Sequence, residues 1–355
     1  MPELPSVRER ARGELRELLA LRPAPGAWWT AGRAAIATLI VFAALAGLDL
    51  FSYAMYASFG LFAAVYSGTR HQPVRWRSQT LHAALLVIAV TLGVCAAISD
   101  ARTVIAIPLA AACAAAAAHL SDRQHWAPPG PMFIVFAVTS CASIPRTWPE
   151  AGLAVLITGA SATVAVAVGL LEQSIPRSPI HPDGRETPGP PPIQRTVHRM
   201  RVHAARCAAA VILAGGIAVT LDLDRPYWAM VAAVAPLAGN DSTDQIRRAV
   251  FRVLGTLIGV GVAAGLLALH PNTGAAILIA TVLQLLINAV VRRNYGLALI
   301  FITPLALLLG ELGSDAATSD LIASRLLETL IGASIAVVLV TFTRSRFSTP
   351  ANPPA

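Results

Sequence analysis

Twelve apolar runs, parted by charge, proline and glycine, limit what this chain can fold into. They lie at about 32–48, 52–68, 80–98, 103–119, 131–145, 151–171, 205–221, 226–239, 250–269, 273–290, 296–311 and 324–342. A helix needs roughly 20 apolar residues to cross the hydrocarbon core of a bilayer, and most runs approach that length. Only 13% of the 355 residues are charged, well short of the roughly 25% of a soluble domain. Too little charge is left to cover a water-facing surface, so lipid is the solvent that suits the chain. In lipid only α-helices and closed barrels satisfy their own backbone. The sequence predicts an all-α, polytopic membrane protein of about twelve transmembrane helices. The runs at 131–145, 226–239 and 296–311 are short for a span and are expected to be tilted or re-entrant.

All 27 basic residues are arginine, and the net charge is +8. Such an excess invites a nucleic-acid partner, but its placement argues against one. With the N-terminus in the cytoplasm, 23 arginines fall in inner segments and 4, Arg102, Arg146, Arg225 and Arg325, in outer ones. Short inner loops of membrane proteins carry this bias. The expected partner is the lipid bilayer with its anionic headgroups. The expected location is the cell inner membrane, multi-pass, with both termini cytoplasmic.

The runs group into two halves, 32–171 and 205–343. Before them, residues 1–31 place Val7, Ala11, Leu15, Leu18 and Leu19 at helical spacing, either as an amphipathic helix on the inner face or as a solvated one. That stretch has no apolar core of its own, so a cleavable signal is not expected. Between the halves, residues 172–204 are proline-rich and read as a cytoplasmic connector; residues 344–355 form a tail. Arg33 and Leu48-Asp49-Leu50 are matched 173 residues later by Arg206 and Leu221-Asp222-Leu223. Tyr53 and Tyr56 follow the first set, Tyr227 and Trp228 the second, and an arginine cluster follows each. The pattern predicts a duplication. Six spans per half is an even number, so the repeats would be parallel, related by an axis along the membrane normal.

Enzyme chemistry finds no support. There is no GxSxG, HExxH, P-loop or dinucleotide fingerprint, so neither an enzyme nor a cofactor is expected. Cys95, Cys113, Cys141 and Cys207 lie in apolar runs without a CxxC pair and are expected to be small core residues, not a disulfide or metal set. His82 and His119 fall near inner helix ends.

The most informative segment is 225–259, RPYWAMVAAVAPLAGNDSTDQIRRAVFRVLGTLIG. It is a short apolar span, a polar turn, and a long span entered through three arginines. Asp241, Ser242 and Thr243 are candidate caps for a helix beginning near Asp244. Arg248 and Arg252 are spaced i, i+4 and share one face. They serve either topology and lipid headgroups, or an electropositive vestibule that gathers organic anions. Gly255 with Gly259, and Gly261 with Gly265, form two GxxxG pairs expected to pack helices closely, which is compatible with a homo-oligomer.

This segment resembles the signature of the fusaric acid resistance (FUSC) family, related to bacterial aromatic acid exporters and more distantly to plant aluminium-activated malate transporters. The matching residues are Tyr227-Trp228, the turn at Asp241 and Thr243, Arg248, and the run Arg252-Val-Leu-Gly255-Thr256-Leu-Ile-Gly259. The first half matches loosely, with Arg75, Arg77 and Gly93 but no Arg-x-x-Gly run. Many members carry a sizeable cytoplasmic domain where this chain has only the connector. The resemblance implies export or conduction of organic acids.

Polar residues inside the runs are candidates for a path. Gln284 and Asn288 share one face of the tenth run. Thr139 and Thr303 lie in the short fifth and eleventh runs, and Pro304 interrupts the latter. Short, broken spans at matching positions point to a transporter's substrate site. Arg325 and Glu328 are expected to form an i, i+3 ion pair near the outer end, structural in role, with proton coupling as the alternative. Tyr53, Tyr56, Tyr227 and Trp228 either belong to the aromatic belt at the lipid interface or stack on a substrate ring. The resemblance, more than the residue chemistry, implies an exporter of small organic anions, aromatic carboxylates above all, in which Arg77, Arg248 and Arg252 would draw in the carboxylate. A channel for organic anions and a non-transporting membrane scaffold are the alternatives.

Overall fold

A computed structural model describes residues 27–66, 75–126, 128–173, 196–291, 293–311 and 318–344. Among them are twelve α-helices and no strand. In chain order they are α1 Ala27–Gly47, α2 Ala54–Leu61, α3 Arg75–Ala97, α4 Arg102–Gln124, α5 Met132–Ser143 and α6 Trp148–Gln173. The second set is α7 Val197–Thr220, α8 Tyr227–Val234, α9 Ser242–Leu267, α10 Thr273–Val290, α11 Tyr295–Glu311 and α12 Thr318–Arg344. Every apolar run is a helix. The amphipathic stretch before Ala27, most of the proline-rich connector and the tail beyond Arg344 lie outside the described residues. Two boundaries move: residues 27–31 already belong to α1, and 197–204 to α7.

The protein is a multi-pass membrane protein. Eight helices are long and apolar enough to cross a bilayer: α1, α3, α4, α6, α7, α9, α10 and α12. The apolar segments Phe51–Val65, Met132–Ser143, Tyr227–Ala238 and Tyr295–Gly310 are shorter. The three runs expected to be short are among these four, and the run at 52–68 joins them. At 1.5 Å per residue, α5 extends only about 18 Å, well under the roughly 30 Å core.

Length sorts with position. Large apolar side chains that face outward, such as Ile36, Ile88, Val104, Leu156, Ile212, Leu257, Leu278 and Phe342, sit on the eight long helices or their adjoining turns, and none sits on a short one. All eight residues of α8 are buried. The long helices thus turn one apolar face to lipid and the other to a layer of short helices inside.

Small residues hold these layers together. In lipid there is no hydrophobic drive for helices to associate, so close backbone approach must supply the contact. A Cβ at Gly93 would meet the Val138 carbonyl of α5 at 2.6 Å, and one at Gly255 the Gly296 carbonyl of α11 at 2.7 Å. A Cβ at Gly259 would meet that of Thr303 at 2.8 Å, while Gly60 packs against the Thr158 carbonyl of α6 and Gly332 against the Ala229 carbonyl of α8. Gly261 and Gly265 do the opposite of what their GxxxG spacing suggests. Both are exposed with nothing within 4 Å, because 3.6 residues per turn carries them off the face shared by Gly255 and Gly259. Cys141 and Cys207 are buried as expected, whereas Cys95 is exposed.

Packing partners recur along the chain. Helix α3 packs on α5 and α6 as α9 packs on α11 and α12; α2 packs on α6 as α8 does on α12; α4 lies against α7 as α10 does against α1. Both Leu-Asp-Leu turns stop their helix in one way. Asp49 (φ 57°) and Asp222 (φ 53°) take the left-handed conformation. The next amide reaches back five residues, from Leu50 to the Leu45 carbonyl at 2.8 Å and from Leu223 to Ala218 at 3.0 Å.

The contrast between the two glycine pairs is testable. Gly259→Val is expected to cost about 1–3 kcal/mol through overpacking against α11, whereas Gly261→Val is expected to unfold with the parent. Thermal unfolding in detergent checks this, and equal losses for the two would remove the close contact.

Candidate functional site

The site grows from the start of α9. Asp241 caps the helix, its carboxylate accepting from the Asp244 amide at 2.8 Å, so α9 begins at Ser242, slightly earlier than expected. Asp244 then receives Arg247 at 2.7 Å and Arg248 at 3.1 Å. The Arg248 guanidinium also lies over the Tyr295 ring, 5.4 Å from its centre. Gln245, buried one position on, donates to the carbonyls of Leu237 and Gly239 at 3.1 Å each and accepts from Arg206 at 3.0 Å. This clamp fastens the end of the short α8 segment, where Pro236 and Gly239 stop the chain from continuing as helix.

Arg252 departs from this mouth. It shares a face with Arg248, but only 2% of it is exposed and its Nε has no hydrogen-bond partner. It stands ten residues, about 15 Å, along α9. Its charge acts on a second arginine, Arg325 of α12, which is wholly buried. All three Arg325 guanidinium nitrogens are without a hydrogen-bond partner. The expected ion pair with Glu328 is therefore corrected: the two do not hydrogen-bond. Glu328, also fully buried, instead accepts the Arg225 amide on Oε1 at 3.0 Å, and its Oε2 is unpartnered. The physical reason is Trp228, whose indole lies under the Arg325 guanidinium, 3.7 Å from ring centre to Cζ, and engages the face of the cation.

The aromatic residues are inside, not in an interface belt. Tyr227 and Trp228 are buried, as are Tyr53 and Tyr56. Phe136 of α5 comes from the other half to lie 5.1 Å from Trp228 and 6.5 Å from Tyr227 between ring centres. Trp228 Nε1 and the Tyr295 hydroxyl find no protein partner. Around Arg325 the unmatched groups are thus nearly all donors. Burying a cation without a hydrogen-bonded counter-charge costs several kcal/mol, and a desolvated cation–π contact returns about 2. The arrangement is strongly electropositive and suited to a carboxylate, which a guanidinium edge binds with two parallel hydrogen bonds.

Other predicted residues are not brought here. Arg77 is exposed and lies over Trp76, 5.5 Å from the ring centre. Asn288 donates to the Gln284 carbonyl at 2.8 Å; both are buried on α10, with no contact to Arg252 or Arg325. Thr139 bonds back to the Val135 carbonyl at 2.7 Å. Thr303 is buried beside Gly259 with its hydroxyl unpartnered. Tyr53 and Tyr56 hold Arg146, whose Nε donates to the Tyr56 hydroxyl at 3.1 Å and whose guanidinium also pairs with Glu150 at 3.6 Å. His82 stacks on Tyr66, 3.5 Å between ring centres. Arg325, Glu328 and Phe136 are missing from the sequence-derived path. The signal for the first two was present, since an ionisable residue inside an apolar span is a functional candidate by default.

Residues 212–339 match the family described as fusaric acid resistance protein-like. The matched stretch holds Trp228, Arg252, Arg325 and Glu328, leaving only Phe136 outside. A protein of Bacillus subtilis (strain 168), "Uncharacterized membrane protein YvaC", is 28% identical over 149 residues, which are 42% of this chain and 24% of that protein. The chain therefore spans about a quarter of that relative's length. No solved structure matches the chain.

If Arg252 serves a guest and not the fold of this half, its loss should not weaken the protein. Arg252→Met, which removes a buried cation at similar volume, is expected to be neutral or to stabilise by up to about 4 kcal/mol. Thermal unfolding in detergent without organic acids measures it. A loss beyond about 1 kcal/mol would assign Arg252 to structure.

Proposed function

We propose that this protein moves small organic anions, aromatic carboxylates above all, outward across the cell inner membrane. The observation that carries this reading is the pair of buried arginines, Arg252 and Arg325, set in an apolar bundle with their edges free of protein acceptors. The likeness of residues 212–339 to fusaric acid resistance proteins supports it. Arg247 and Arg248, held on Asp244, lie on the cytoplasmic side of Arg252 along α9, so an entering anion meets cations in succession. Trp228, Tyr227 and Phe136 offer rings beside the guanidinium. Energy would come from an ion gradient or the membrane potential. A channel working down the potential uses the same residues, and collapsing the proton gradient tells the two apart.

The architecture we infer is two parallel six-helix repeats, α1–α6 and α7–α12. It is supported by the recurring helix partners and by the two identical Leu-Asp-Leu turns. Both termini would be cytoplasmic, as the arginine distribution suggests. The site would then be reached along α9 from inside and along α12 from outside, with Arg252 and Arg325 each within its candidate span.

Two experiments test this reading. Purified protein in vesicles is expected to release labelled benzoate faster than empty vesicles do. Arg252→Met should cut that flux roughly tenfold or more, the worth of one charge-assisted hydrogen bond. No flux for a panel of organic acids would sink the transport reading and leave a scaffold. For orientation, a reporter active only in the cytoplasm should work when fused to the C-terminus and fail when inserted at Leu269. The reverse pattern overturns the topology.

A further inference from the structure

One carboxyl, Glu328, is buried with the two guanidinium groups of Arg252 and Arg325. Arg252 and Arg325 come from α9 and α12, and Glu328 stands one helical turn beyond Arg325. The groups facing Glu328 are Arg325 on its own helix, Arg225 and Asp224 on the turn before α8, and Tyr227 on α8; Arg252 on α9 and Tyr295 on α11 face Arg325. Asp224 is exposed at the rim and takes Ser324. The Arg225 side chain turns to the Tyr227 hydroxyl at 3.4 Å. The interior balance is left to Arg252, Arg325 and Glu328. With Glu328 ionised, one positive charge is uncompensated; with Glu328 protonated, two are.

We propose that Glu328 sets the valence of the bound anion: the Arg252–Arg325 pair takes a monocarboxylate while Glu328 is ionised and accommodates a dicarboxylate well only when Glu328 is protonated. The Oε2 oxygen, buried and without a partner, carries the proton. Burial makes the effect large, because unbalanced charge is far more costly in a low-dielectric interior than in water. The inference rests on the organic-anion reading in taking a carboxylate as the guest. It adds a determinant of specificity that does not itself bind the anion.

The test compares binding of benzoate and terephthalate to the purified full chain in detergent, by calorimetry at pH 6 and pH 8. Both acids are fully ionised across that range, so any change belongs to the protein. The parent's preference for benzoate over terephthalate is expected to rise several-fold from pH 6 to pH 8, as Glu328 loses its proton. Glu328→Gln should hold the ratio flat with pH and lower it about tenfold at pH 8. Arg325→Gln should bind both acids at least about tenfold more weakly. A flat ratio in the parent, the same pH dependence in Glu328→Gln, or failure of the parent to bind either acid would overturn the proposal. If Glu328→Gln does not fold, the parent's own pH dependence still decides. Binding needs no gradient: the expected ratios without vesicle flux would sink transport alone, and flux with a pH-independent ratio would sink this inference alone.

Discussion

Close backbone contact at small residues is the interaction on which the rest of this structure depends. In lipid, apolar side chains gain nothing by leaving their solvent, so helices adhere only where their surfaces fit. Here the fit is made by glycine set against carbonyl: Gly93 on α5, Gly60 on α6, Gly255 and Gly259 on α11, Gly332 on α8. Each contact draws a long helix onto a short one, or a short one onto a long. The short segments, unable to span a bilayer alone, are stable only because long neighbours wrap them. That enclosure creates an interior screened from lipid, where polar side chains can be held apart from the hydrocarbon.

Into this interior the chain places its most costly residues. A guanidinium stripped of water has few compensations, and Arg325 has one, the face of Trp228. A structural arginine would be expected to finish its hydrogen bonds, as Arg146 does with Tyr56 and Glu150, or Arg248 with Asp244. Arg325 shares a helix with Glu328 at a spacing that permits a pair, and yet does not bond to it. Its donors are instead presented at their edges while its face is protected. Stacking of this kind fixes the plane of the cation without using its N–H groups, which is the preorganisation a carboxylate site needs.

Much of the frame was legible in the sequence, because hydropathy and helix length obey the same bilayer thickness. Each apolar run became a helix, and the three shortest runs are inner segments. The run at 52–68 misled by its length: Phe51–Tyr53 and Phe62–Val65 are tighter 3-10 turns at either end of a two-turn α2. GxxxG spacing identified close packing at Gly255 and Gly259 but not which of two consecutive pairs would face a helix, since α9 turns its Gly261 face to lipid. Composition put the aromatic residues at an interface belt, and the fold buried them. Whether a tyrosine near a span end meets headgroup or protein depends on which helix is inner, and that is a tertiary property. Arg325 was misplaced for the same reason. Counted as an outer charge and given Glu328 by spacing alone, it proves to be held by an aromatic ring on another helix.

On the reading of a duplicated chain, the two halves would share a frame but not a site. Leu86 stands seven residues before Gly93, and Arg252 seven before Gly259; both are buried. Gln79 and Gln245 likewise stand fourteen before those glycines, and both are buried. On the duplicated reading, the position that holds leucine in α3 holds the cation in α9. Glycine contact fixes the height and rotation of each long helix against its short partner, so the residue two turns earlier is aimed inward in either half. The frame determines where a charge would point, and one substitution at that point separates an apolar half from one suited to an anion. Only the second half carries the charge, and Phe136 of the first supplies a ring to it. The halves thus contribute unequal parts to one interior: buried cations come from the second, and a ring beside them from the first.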